Sequence, residues 1–222
     1  PFPRLPLMSS QVESQDCDRH LAPLRALRVP RTPRFSASAW DGKPPGPGKK
    51  VIHLVRHGEG EHNAAAARLG YGCGCEEEPP RCPYIDPSLV DPKLTAKGVA
   101  QAEELATRVV DLPVEAVLSS PLTRALSTAL IGFKKHIDEK QLKVQVLEDC
   151  REHVGVHHCD KRRAVSEMAP LFPHADFSAL ANDEDVQWTA HEREPLSALA
   201  DRAHAFLQHT ATLPHSHLAV VC

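Results

Sequence analysis

Five side chains in this sequence have the types and the order to handle a phosphoryl group: Arg56, His57, Asn63, Arg124 and Glu152. An imidazole can take a phosphoryl group covalently when one ring nitrogen is neutral and the other is held by a partner. His57 stands where that is feasible, just past the apolar run that opens VIHLVRHGEGEHN, residues 51–63. Arg56 and Arg124 offer planar forks of donors, which match phosphoryl oxygens better than lysine does, and Asn63 adds a neutral donor. A leaving alkoxide needs a proton; Glu152 is the expected source, with Glu148 and Glu59 in reserve. Phosphoryl transfer is chiefly positioning and charge stabilisation, so a basic pocket of this kind would supply most of the catalysis. Singly each residue is ordinary, since a histidine at a strand end is commonly structural and an isolated arginine or glutamate is commonly surface charge. The weight lies in their order along the chain.

Bringing them together takes a sheet. Lys49–Val55 reads as a buried strand and Asn63–Leu69 as the helix after it, whose first N–H groups can help hold an anion. Thr95 is expected to cap a helix running to about Asp111, with Pro113 ending it. Val114–Leu118 reads as a second buried strand, and Pro121 as the first residue of a helix, Pro121–Phe133, that carries Arg124 in its first turn. Leu142–Leu147 is the third strand and Glu148–Gly155 a charged loop. Residues 156–194 are mixed, with a short helix near Arg163–Met168. Pro195–Thr212 has a helical apolar spacing, and Leu218–Val221 reads as a fourth buried strand. This alternation predicts an α/β fold, a three-layer sandwich with a mostly parallel central sheet flanked by helices and its chemistry at the carboxyl edge.

The totals narrow the field. The chain has 222 residues, a formal charge of −3 and a pI near 6.6, which argue against a general nucleic-acid or anionic-membrane binder. No apolar run approaches the roughly 18 residues of a membrane span. Seven cysteines at irregular spacings point to a reducing compartment rather than a disulfide framework. Residues 1–49 read as a disordered, basic, proline-rich leader: residues 1–50 hold 9 of the 20 prolines, and 9 Lys+Arg against 4 Asp+Glu. From Arg19 to Trp40 there is no acidic residue, the composition of a chloroplast or mitochondrial transit peptide, so an organellar address is the alternative to a cytoplasmic one. Residues 50–222 are expected to be one catalytic domain. Gly70–Asp91 reads as an irregular insertion holding Cys73, Cys75 and Cys82, and the loop after the third strand holds His153, His157, His158 and Cys159. Neither set reads as a metal site: the cysteines have no fourth ligand at a usual spacing, and the histidines read as chance members of a charged loop.

The quoted residues resemble the histidine phosphatase superfamily, the phosphoglycerate-mutase-like fold, over about residues 51–222. Arg56-His57-Gly58-Glu59 with Asn63 is similar to its signature. Leu94-Thr95-Ala96-Lys97-Gly98 with Gln101-Ala102 looks like its second segment, and Ser119-Ser120-Pro121-Leu122 with Arg124-Ala125 and Thr128-Ala129 like its second-arginine segment. The resemblance implies a phosphorylated His57, phosphate ligands Arg56 and Arg124, an acid in Cys150–Gly155, a small phosphorylated substrate, and no metal or organic cofactor. RHGEGEHN, REHVGVHHCDKRR and VQWTAHEREPL look most like phosphoglycerate-mutase-like proteins of plants, algae and fungi. His62 and the run Arg151-Glu152-His153 depart from cofactor-dependent mutases, which favours a phosphomonoesterase, with a mutase as the alternative. The family places a second histidine just past its last core strand, whereas this sequence stops at Cys222, with His215 and His217 expected at the strand's far end. A C-terminally truncated chain is therefore the expectation, with a non-catalytic phospho-ligand binder as the other reading. Nothing in the sequence sets the substrate or the oligomeric state.

Overall fold

A computed structural model describes residues 42–70, 73 and 82–222. Cys75 and nearly all of the leader, on which the transit-peptide expectation rests, lie outside the described residues. In chain order the elements are β1 (Val51–Val55), α1 (Glu61–Leu69), α2 (Ala96–Val109), β2 (Ala116–Ser119), α3 (Thr123–Gly132), α4 (Lys134–Lys140), β3 (Val144–Val146), α5 (Val165–Met168), β4 (Ala175–Asp176), α6 (Leu196–Thr212) and β5 (His217–Val221). The strands form one sheet in the order β1-β5-β2-β3-β4, every pair parallel.

Strands covered on both faces read as continuous apolar runs, and β2 and β5, wholly buried, do so. Successive side chains then point to opposite layers. Val117, Ala219, Val221, Val144 and Val146 pack with Leu126, Phe133, Ile137 and Met168. Leu118 and Val220 turn the other way, against Phe206 of α6 with Ile52 and Leu207 at the margin. Helices thus cover both faces, and the expected sandwich is present.

Two local expectations need correction, and two short elements were not read from the sequence. β1 is not a buried strand: it is an edge, pairing among the described residues only with β5, and Leu54 is 73% exposed. Pro121 does not open the helix that carries Arg124. Leu122 is the N-cap, because the Asp91 carboxylate, brought from 32 residues upstream, accepts from the Thr123 N–H (2.7 Å) and the Thr123 hydroxyl (2.6 Å) and fixes the start there. α4 was not anticipated, since Lys134–Lys140 buries only His136 and Ile137 and has no readable period. β4, two residues long, is too short to leave a pattern.

The register sets what meets at the carboxyl edge. Val55 and Ser119 both lie opposite Val221, and His57 N–H donates to the Cys222 carbonyl at 2.8 Å. His217, first in β5, lies opposite Val51 at the other end of the sheet, where its ring stacks on His53 at 6.0 Å.

Asp91 therefore holds the end of α3 that carries Arg124. Asp91→Ala is expected to lower stability by about 1–2 kcal/mol, the usual worth of a lost cap, read as a shift of the urea midpoint; an unchanged midpoint would show that the cap carries nothing.

Candidate active site

The loop from β1 to α1 is held from below by α2. Thr95 caps α2, its hydroxyl accepting from Gly98 N–H at 3.0 Å, and donates at 2.8 Å to Glu59, whose other oxygen takes Lys97. Gln101 accepts from Glu59 N–H at 2.8 Å. The backbones come so close that a Cβ on Gly98 would stand 2.1 Å from the Glu59 carbonyl oxygen. Gly58 N–H donates to the Thr128 hydroxyl of α3 at 3.0 Å. The Leu94–Ala102 segment thus positions the loop that carries the histidine.

His57 is 7% exposed. Its Nδ1 lies 2.7 Å from the Gly58 carbonyl oxygen, which can only accept, so the hydrogen bonds assign the proton to Nδ1 and the lone pair to Nε2. Arg124 Nε–H donates to that Nε2 at 3.1 Å, and a Glu152 carboxylate oxygen lies 3.7 Å from it. The Arg124 side chain is wholly buried: Nη1 donates to the Cys159 carbonyl at 2.6 Å, Nη2 to Glu152 at 2.5 Å and to Asp160 at 3.0 Å. Burial opposes the guanidinium charge, but Glu152 and Asp160 outweigh it and raise its pKa. Desolvation likewise pushes Glu152 up, yet the Arg124 charge and the hydrogen bond from Arg124 prevail and hold the carboxyl well below the usual carboxylate range. Its side chain keeps 45% of its exposure, so it remains in reach of solvent and of an incoming ligand.

The structure therefore gathers His57, Arg124 and Glu152. Glu148 is occupied elsewhere, by Arg151 and Arg162. Arg56 is exposed and shares a cleft of about 290 Å³ with His57, Gln101, Arg108 and Thr128; neither Arg124 nor Glu152 lines that cleft. Asn63 is in part a capping residue, its side-chain oxygen accepting from Gly60 N–H at 2.9 Å, so only its amide NH₂ can be offered to a ligand.

Sequence reasoning missed three residues here. Asp160 is the second acid on Arg124, and an acid before the basic run Lys161–Arg163 was the available signal. Thr128 links Gly58 to the Arg124 carbonyl. His62, 4% exposed, has its ring 5.8 Å from that of His57; burial, then the charge of Arg124, lower its pKa to about 3, which keeps it neutral.

The parallel α/β sheet thus carries a histidine, a buried arginine and a carboxylate at its carboxyl edge, a set suited to phosphoryl chemistry. The profile of the histidine phosphatase superfamily (branch 1) matches residues 87–222, and the chain belongs to that superfamily. It is 32% identical over 200 residues to phosphoglycerate mutase-like protein 1 of Arabidopsis thaliana, covering 78% of this chain and 67% of that one. A phosphoglycerate mutase-like protein of the same plant is 31% identical over 200 residues, 78% and 70% respectively. Among solved structures it is similar to the alpha-ribazole phosphatase of Shigella flexneri, with a TM-score of 0.46 and 23% identity over 77% of this chain and 72% of that one. No helix of the described residues is long and apolar enough to cross a membrane.

A carboxyl whose folded pKa is depressed stabilises the fold above its unfolded pKa, and that contribution is lost as pH falls through the folded value. For Glu152 the window opens near the ordinary 4.5 and extends downward. Unfolding stability of the wild type should fall more steeply there than that of Glu152→Gln, measured by urea titration at stepped pH; parallel slopes would remove the pair from the account.

Proposed function

We propose that the chain is a phosphomonoesterase working through a phosphohistidine on His57. The supporting observation is the lone pair on His57 Nε2, aimed at the same point as the Arg124 guanidinium and the Glu152 carboxylate. A phosphomonoester dianion entering the site competes for the Arg124 donors. Glu152 then loses its cation and faces new negative charge, which raises its pKa toward that of a proton donor. Nε2 attacks phosphorus, the bond to the ester oxygen breaks, and Glu152 protonates the leaving alkoxide. In the second half, water attacks the phosphohistidine, Glu152 takes back the proton, and phosphate leaves. Arg56, exposed beside His57, and the Asn63 NH₂ are the remaining donors for the phosphoryl oxygens.

The second reading is phosphoglycerate mutase, in which the phosphoryl group returns to substrate instead of water; the names of the plant relatives favour it. The surroundings of Glu152 support hydrolysis. Arg151 is bound by Asp185 and Glu148 with no exposed side chain, and His153 Nε2 lies 2.5 Å from the Glu194 carbonyl, so neither flanking residue is available to a substrate carboxylate.

Incubation of the full chain with p-nitrophenyl phosphate should release inorganic phosphate through an acid-labile phosphoenzyme. Arg124→Lys is expected to reduce kcat by about 10²–10³-fold, the usual loss when one preorganised donor is removed. Turnover that survives His57→Ala would overturn the mechanism. With 3-phosphoglycerate, glycerate plus phosphate supports the phosphatase, whereas 2-phosphoglycerate without free phosphate selects the mutase.

A further inference from the structure

Two parts of the chain with no shared sequence signal meet beside the site. Cys73 belongs to the insertion, Cys82 leads into the 3₁₀ turn Pro83–Ile85, and His157 comes from the loop after β3. His157 Nε2 lies 3.3 Å from Cys73 Sγ and 3.5 Å from Cys82 Sγ, and the three donor atoms all lie within 4.8 Å of one another. We propose that Cys73, Cys82 and His157 bind a thiophilic divalent cation, zinc by the chemistry of its donors.

The spacing is that of a coordination tetrahedron. Zinc–sulfur bonds of about 2.3 Å and zinc–nitrogen bonds of about 2.0–2.1 Å put the nitrogen-to-sulfur edge at roughly 3.5 Å, close to the 3.3 and 3.5 Å of the two edges. Hydrogen bonding accounts less well for it: a neutral imidazole has one lone pair, at one nitrogen, and two thiols converge on it here. The opposite ring atom points the right way. His157 Nδ1 lies 3.5 Å from an Asp160 oxygen, the carboxylate–histidine arrangement that orients a metal-binding imidazole and leaves Nε2 unprotonated. Trp188 Nε1–H fixes the backbone by donating to the His157 carbonyl at 2.8 Å, and the Tyr84 ring packs 5.2 Å from the imidazole. Cys82 and His157 are buried, while Cys73 is exposed and leaves an entry path. Binding exchanges two thiol protons for the cation. Among the described residues three ligands converge, and the fourth position falls to a further donor or water.

The test uses the reduced, chelator-stripped full chain titrated with Co²⁺. One equivalent should produce a thiolate-to-cobalt charge-transfer band in the near ultraviolet and the strong visible bands of a four-coordinate site, both bleached by zinc. Cys82→Ser and His157→Gln should each weaken cobalt binding by more than about 100-fold, beyond the loss typical of an outer partner. Zinc should slow alkylation of Cys73 and Cys82 in the wild type and leave Cys150 and Cys222 unchanged, a readout that needs no variant to fold. A six-coordinate cobalt spectrum without the charge-transfer band, or alkylation indifferent to zinc, would overturn the site. So would a Cys73–Cys82 disulfide in the protein as purified.

Discussion

A guanidinium removed from water is stable only if its N–H groups find acceptors and negative charge lies close by. Arg124 meets that requirement with four partners drawn from two places: the imidazole of His57 at the end of β1, and the Glu152, Cys159 and Asp160 oxygens of the loop after β3. The parallel register brings those places together, because Val55 and Ser119 end opposite the same residue of β5. The demand of one buried cation thus decides where the nucleophile candidate and the acid candidate sit. On the proposed mechanism a phosphate would have to displace contacts that are already made.

The loop 151–160 has little regular structure, so its rigidity has to come from elsewhere. Arginines supply it. Arg151 holds Asp185 and Glu148; Arg162 donates to Glu148 and to the carbonyls of Asn182, Asp183 and Glu184. Arg202 of α6 donates to the backbone carbonyls of Arg151 and Glu152. Gly155 adopts a φ of +89°, and a Cβ there would stand 2.1 Å from the Glu192 carbonyl oxygen, so the return of the loop past 192–193 admits glycine only. Catalytic groups on a loop are precise when their supports are locked in this way.

What was legible in the sequence follows from the range of each signal. β2 and β5 declare themselves as short apolar runs, α2 and α6 by helical period. The RHGE, LTAKG and SSPL segments could be ordered along βα units before any geometry was known. The edge position of β1 was hidden because apolar content alone does not distinguish a strand covered on two sides from one covered on a single side. Asp91 at the start of α3 was hidden because caps are read from adjacent residues, and this one arrives from 32 positions away. Asp160 and the meeting of Cys73 and Cys82 with His157 were hidden for the same reason: spacing rules describe ligands on one segment, and these sit on two.

Asp160 joins these arrangements. One of its oxygens accepts from Arg124, and the other faces His157 and Arg193. Burial works against its charge, and the hydrogen bond from His157 and the Arg124 and Arg193 charges keep its pKa low. A carboxylate divided in this way cannot strengthen its hold on one partner without loosening another. A cation on His157 Nε2 would polarise the Nδ1–H toward Asp160 and draw on the negative charge that offsets Arg124, the group a phosphate would recruit on the proposed mechanism. Linkage makes such an effect reciprocal, with phosphate on Arg124 altering cation affinity at His157 by the same factor. The insertion that carries Cys73 and Cys82 would then be joined to the phosphoryl site through one shared carboxylate, with no change of fold required.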